Sequence, residues 1–241
     1  MLLLYCAFLE AMIMQLTMMQ LTLDQQEFPH ALGKIVCVGR NYAAHAKELN
    51  NPIPTSPILF IKPASSAVPF GPFFSIPKDQ GSVHHELEIA ILIGQTLTHA
   101  SEQQVAESIA GVGLGLDLTL RDVQDKLKEN GHPWERAKSF DGACPLTEFV
   151  SVANMNSADF QTLGLRLEKN GQQQQQGTSA EMLFSILPLI AHMSEHFSLQ
   201  AGDVILTGTP AGVGPLTAGD TLQAELSQAN NVLLTCESVV G

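Results

Sequence analysis

Positive charge is scarce in this chain of 241 residues. Twelve Lys and Arg stand against 24 Asp and Glu, for a formal net charge of −12. Nucleic-acid binders concentrate basic residues on one face, so no nucleic-acid partner is expected. A small anion stays in play, because a metal ion or a local Lys/Arg cluster can outweigh the global sign. Charged residues are only 15 % and hydrophobic ones 45 %, the balance of a packed core and not of a disordered chain. Cysteine is rare too: Cys6, Cys37, Cys144 and Cys236 form no CxxC pair, which speaks against zinc and a disulfide framework and for a reducing, cytoplasmic setting. Nor is there a clean apolar run of the roughly 20 residues a membrane span needs. Residues 1–23 come nearest, but Glu10, Gln15 and Gln20 interrupt them and no Lys or Arg precedes Lys34, so neither a span nor a signal peptide is expected. Met12, Met14, Met18 and Met19 are alternative starts, and MQLT occurs twice. The first twenty or so residues therefore read as a start-site extension or a packed terminal element, with 1–33 as an N-terminal extension or start region and 34–241 as one folded domain.

What is present is a series of short strands broken by turn residues. KIVCVG (34–39), ILFIKP (58–63) and ELEIAILIG (86–94) are β-branched or apolar runs closed by Gly or Pro, hence strands. Helices are expected over 42–49, with Asn41 as N-cap, over 101–110, over 121–130, and within 178–197 with Pro188 inside or at a kink. VGLGLDLTL (112–120) reads as extended, and 67–81, rich in Pro and Gly, as loop. LGLRLEKNG (163–171) alternates and ends in Asn-Gly, a hairpin signal, with the five glutamines 172–176 as its solvated tip. VILTGTPAGVGP (204–215) reads as strand and then Gly-rich loop, and strands at 222–226 and 232–236 finish the sheet. Interspersed helices without a regular βαβ period imply an α+β, mainly β domain.

Chemistry enters with carboxylates in apolar company. Glu86 and Glu88 lie two apart in a strand and so share a face while Leu87 points away. Asp117 stands alone within GLGLDLTL. Like charges beside a core need a positive partner, and three carboxylates without thiolates suit a hard cation such as Mg²⁺, Mn²⁺ or Ca²⁺. The plainer reading is a solvent-facing pair on a half-exposed strand. His45 and Glu48, i and i+3 on a helix, can meet as a carboxylate-oriented general base, although ordinary helix surfaces hold many such pairs. Arg121, Gln124, Lys138 and Lys62 are noted because basic residues are so few, with surface charge as the alternative. GTPAGVGP (208–215) lacks GKS or GKT and is not GxGxxG, so no nucleotide site is read there.

VGRNYAAHAKEL, ILFIKP, HHELEIAILIG, LGLDLTLRDVQ, PWERAKSFDGACP and VILTGTPAGVGP occur in that order from residue 38 to 215. This set resembles the fumarylacetoacetate hydrolase family, in particular its small single-domain acylpyruvases and oxaloacetate decarboxylases. The resemblance implies a layered mixed β-roll with a few short helices over 34–241, usually a homodimer. It implies Mg²⁺ or Mn²⁺ on Glu86, Glu88 and Asp117, and a His45–Glu48 dyad on a segment that closes over the ligand. It also implies substrate oxygens held by Arg121, Gln124, Lys138 and Thr209, Lys138 counting among the catalytic groups; Arg40 and Lys62 count as further substrate contacts. The implied reaction is cleavage of the C3–C4 bond of 2,4-diketo acids such as acylpyruvates, with oxaloacetate decarboxylation beside it. A hydratase or isomerase of the same fold is the alternative, and a non-catalytic ligand binder the different class. The apolar N-terminus and the glutamine tip depart from the pattern, and neither is expected to touch the site.

Overall fold

A continuous apolar run can form a strand only where both of its faces are covered, and that requirement organises this molecule. The structure is a computed structural model that describes residues 19–241 apart from 50, 154, 157 and 230. The first part of the chain forms β1 (Thr22–Leu23), β2 (Gln26–Glu27), β3 (Ile35–Gly39), α1 (Ala43–Glu48), β4 (Ile58–Lys62), β5 (Ala67–Pro69), β6 (Phe73–Phe74), β7 (Val83–His85) and β8 (Leu87–Ile93). The middle holds α2 (Glu102–Ser108), β9 (Ile109–Leu116), β10 (Thr119–Leu120), α3 (Arg121–Glu129), α4 (Glu135–Lys138), β11 (Cys144–Leu146) and β12 (Val150–Ser151). The last part adds β13 (Leu163–Lys169), β14 (Gln172–Thr178), α5 (Ile186–His196), β15 (Val204–Leu206), β16 (Gly214–Pro215), β17 (Thr221–Gln228) and β18 (Asn231–Val240).

An eight-stranded sheet in the order β4-β3-β15-β8-β9-β11-β5, with β12 also on β9, is mixed: β15 runs parallel to β3 and antiparallel to β8. A second sheet of five strands runs β14-β13-β17-β18-β6. With five short helices among the described residues, this is the expected mainly β roll. Alternation divides each central strand between two cores. Val36, Val38, Ile89, Ile91, Ile93 and Ile205 face the second sheet, α2 and α5 in one cluster. Ile35, Cys37, Ala90, Leu92, Val204 and Leu206 face a second cluster, closed by Leu21, Phe28 and Leu32. Residues 19–33 are thus part of the packed body; the alternative starts up to Met18 lie outside the described residues.

Three local expectations need correction. The glutamines are not a hairpin tip: Asn170 and Gly171, with φ of +53° and +72°, make the turn, and 172–176 form the return strand β14 paired to β13. Asn41 does not cap α1. Tyr42 holds that position without a side-chain bond, while buried Asn41 bonds the Thr207 carbonyl and both backbone groups of Phe184. Pro188 lies inside the helix, one of the two places expected for it: α5 starts at Ile186, and proline in a first turn removes an N–H that has no helical partner anyway. The helix predicted over 101–110 stops at Ser108, behind a Ser101/Gln104 capping box, and strand resumes at Ile109 because that residue and those following are needed in the core.

Candidate active site

Glu86 lies between β7 and β8, Glu88 is the second residue of β8, and Asp117 follows β9. Because β8 and β9 are antiparallel neighbours, with Glu88 opposite Gly115, the three carboxylates converge, with one oxygen from each within 4.8 Å of the others. They are 5 %, 2 % and 2 % exposed, so the solvent-facing reading of the glutamates does not hold. Three cations reach them. Lys138 Nζ, at the end of α4, lies 2.9 Å from Glu86 Oε2 and 2.5 Å from Asp117 Oδ2. Arg121, opening α3, lies 2.5 Å from Glu86 Oε1 and donates to Gln124 Oε1 at 2.7 Å. Lys62 stands behind Asp117, 2.8 Å from Oδ1, and spends its protons on the carbonyls of Leu118, Lys138 and Ala143.

The electrostatics divide the two glutamates. Burial raises the Glu86 carboxyl, but Lys138, Arg121 and His45 outweigh it and hold it far below the usual carboxylate range. Burial, then Asp117 and Glu86, push Glu88 well above that range, with the Gly208 N–H as the opposing contact at 2.6 Å. Asp117 Oδ1 is buried without a hydrogen-bond donor, its Lys62 neighbour being near in distance only. A carboxylate cluster with an oxygen left over and a member that carries no cation of its own fits a hard divalent ion. A second cluster, His192, Glu195 and His196 on α5, is largely open to solvent.

His45 on α1 lines the same small cavity as the carboxylates, together with Arg40, Arg121, Gln124, Lys138 and Thr209. Its Nδ1 lies 3.4 Å from Glu48 Oε2. Burial lowers its pKa, opposed by Glu86 and Glu48, so the ring is neutral at pH 7 with the proton on Nδ1 and the lone pair on Nε2. Glu48 Oε1 in turn accepts from the Gly212 N–H at 3.0 Å. The loop from Gly208 to Pro215, which as a motif looked like a plain turn, thus holds one residue of each half of the site. The cavity measures about 30 Å³, and on the outer side of α1 lies an open hollow of about 500 Å³ bordered by Ala43, Ala44, Lys47 and Ile53.

Of the sequence candidates, Lys62 and Glu48 do not line the cavity; they support Asp117 and His45. Several residues escaped the sequence reading. Lys128, Trp134, Phe60 and Asn51 also line the cavity. Lys128 is brought down to about 8 by burial and then by Arg121, with its Nζ 5.7 Å from the Trp134 ring centroid. The PWERAK motif contained Trp134 in plain view, and the i, i+4 spacing from Gln124 could have found Lys128. Gln175 is buried against Thr209, His85 and Leu87, so the glutamine run does touch the site.

The mixed β-roll thus gathers three buried carboxylates, four cations and a histidine of lowered pKa around one small cavity. The profile of the family described as fumarylacetoacetate (FAA) hydrolase C-terminal matches residues 34–239, and the chain belongs to that family as one of its enzymes. It is 54 % identical over 193 residues to the oxaloacetate tautomerase YcgM of Escherichia coli, covering 80 % of this chain and 88 % of that one. The human mitochondrial oxaloacetate tautomerase FAHD1 is 40 % identical over 190 residues, 79 % and 85 % of the two chains. A solved fumarylpyruvate hydrolase from Pseudomonas aeruginosa, in complex with Mn²⁺ and pyruvate, is 29 % identical with a TM-score of 0.82, covering 92 % and 96 %. Among the described residues no helix is long and apolar enough to cross a membrane.

Proposed function

We propose that this chain interconverts the keto and enol forms of oxaloacetate, with Mg²⁺ or Mn²⁺ held by Glu86, Glu88 and Asp117. The observation that carries the reading is the buried carboxylate triad with a neutral His45 on the same cavity. The relatives named oxaloacetate tautomerase support the substrate. Three carboxylates face Lys62, Arg121 and Lys138, so a divalent ion leaves the group doubly positive, the complement of a dicarboxylate. When bound, the ion supplies Lewis acidity toward the 2-oxo carboxylate.

The remaining work falls to the chain. Arg121 and Lys138 orient the substrate carboxylate, the first through its planar fork and the second as a point charge. Glu48 keeps the proton on His45 Nδ1, leaving Nε2 to take and return the C3 proton. A second reading, C3–C4 hydrolysis of acylpyruvates, is favoured by one observation: Glu48 backs His45 as it would a base that activates water, and a fumarylpyruvate hydrolase shares the fold. A homodimer acting in the cytoplasm belongs to this proposal, the first tested by light scattering and the second by fractionation.

The experiment follows the ultraviolet absorbance of enol oxaloacetate with each ion, beside cleavage of acetopyruvate and fumarylpyruvate and release of CO₂. Enol decay faster than buffer and metal alone supports the tautomerase. Cleavage of acylpyruvates without enol decay would hand the site to the hydrolase.

A further inference from the structure

The glutamine run of β14 puts one side chain into the site and leaves its neighbour outside: Gln175 is fully buried and Gln176 exposed, as alternation along a strand requires. The direction of the Gln175 amide is fixed by two backbone groups that cannot exchange roles. The Leu87 N–H, 3.0 Å away, can only donate and so meets Oε1. The Pro210 carbonyl, 3.0 Å away, can only accept and so meets Nε2. Nε2 therefore donates its second proton to Thr209 Oγ1, at 2.7 Å. That hydroxyl lies 2.8 Å from the Leu87 carbonyl, another obligate acceptor, and its proton is committed there. A hydroxyl has one proton and two lone pairs. With the proton and one lone pair used, Thr209 offers the cavity a single lone pair.

This matters for a substrate with two forms. The keto dianion of oxaloacetate has no N–H or O–H; the enol dianion has one O–H. We propose that Gln175 is a positioning residue that, together with the Leu87 carbonyl, pins the Thr209 hydroxyl from two sides, so that Thr209 meets the ligand only as an acceptor and favours the enol over the keto form. The inference rests on the reading of the site given above and adds the contact by which the two forms are told apart. Gln175 Oε1 also takes the His85 Nδ1 proton at 2.9 Å, which ties β7 to the same amide.

The test replaces Gln175 with Met, which has similar volume and no donor, and uses Gln176→Met as the control on the exposed face. Michaelis constants are measured for oxaloacetate in both directions with Mn²⁺, and folding is checked by thermal melting. With Gln175→Met the Thr209 hydroxyl keeps only the Leu87 carbonyl and is no longer pinned from two sides, so it can rotate and turn its proton into the cavity. The enol KM should rise about three- to tenfold, the scale of one neutral hydrogen bond, while the keto KM does not rise. Since the solution equilibrium is fixed, the ratio of the two maximal rates must shift by the same factor; Gln176→Met should match the parent. Two maximal rates that fall together with both KM values unchanged would mean a purely structural role and overturn the proposal. A second arm needs no turnover: calorimetric titration of the Mn²⁺ protein with lactate, which carries a hydroxyl donor, and pyruvate, which has none. Gln175→Met should weaken lactate and spare pyruvate, and equal changes would overturn the proposal. If Gln175→Met does not fold, Thr209→Val, which deletes the lone pair itself, is read with the same two ligands. A parent without tautomerase activity whose variants still separate lactate from pyruvate would sink the proposed reaction and leave the role of Gln175 standing.

Discussion

Lys138 carries the charge balance of the metal-free protein, because its ammonium joins Glu86 to Asp117 in a place closed to water. Removing one partner from a buried charge cluster typically costs about 3–5 kcal/mol. Lys138→Met should therefore melt well below the parent in metal-free buffer, and Mn²⁺ should raise its melting temperature by more than it raises the parent's. Equal melting without metal would show that Glu86 and Asp117 are not both charged. His45→Gln is expected to slow turnover by about 10²–10⁴-fold, the usual contribution of a general base, with Mn²⁺ affinity by calorimetry unchanged; a parental rate would remove His45 from the mechanism. Residue identity was most legible where chemistry clashed with surroundings. Glu86, Glu88 and Asp117 stood out as carboxylates inside apolar runs. Gln175 did not, since five identical polar side chains carry no periodic mark of which one faces inward. Lys62 was visible as a rare cation, but its place behind Asp117 depends on a sheet order in which β3 and β15 stand between β4 and β8, which is set by long-range pairing.

At the scale of elements, period-two alternation and turn chemistry carried far. The Asn-Gly signal located the β13–β14 turn to the residue, because both positions take positive φ and Asn and Gly tolerate it. What followed the turn was misread because polarity was taken for exposure, while the paired edge of a sheet accepts glutamines on either face. The N-terminal segment left two readings open, an extension or a packed terminal element, and its described part packs: Leu21, Phe28 and Leu32 cover one face of the eight-stranded sheet. Leu21, fully buried, gives the test. Leu21→Ala should cost about 2–5 kcal/mol, the range for a buried leucine cut back to alanine, as measured by urea unfolding. A loss below about 1 kcal/mol, the range of ordinary surface substitutions and less, would return this segment to the status of an extension.

For the whole molecule the governing fact is a raised Glu88 beside a cluster that suits a cation. Between the ordinary carboxyl pKa and the raised one, the folded metal-free protein holds a proton that the unfolded chain has released. Stability without metal therefore falls as pH rises through the raised value. A divalent ion competes with that proton, so below the raised value its binding should release a proton and tighten as pH rises. Calorimetry of Mn²⁺ in buffers of different ionisation enthalpy measures the release, and a buffer-independent heat would count against Glu88 as a ligand. Turnover should show two limbs. Below the lowered pKa of His45 the base is protonated and the rate falls. Above about 8 Lys128 loses its charge on the cavity wall, and KM for the anion should climb; Lys128→Gln should abolish that alkaline limb.

The cavity around His45 has room for one or two water molecules at about 30 Å³, and α1 forms one of its walls. That wall is six residues long, with the hollow beside Ala43, Ala44 and Lys47 at its back. It can therefore behave like a door that opens into an empty room: an outward swing displaces solvent and leaves the packed strands as they are. His45 rides on that door, so if it serves as the proposed base, a shut site and an armed site would be one event.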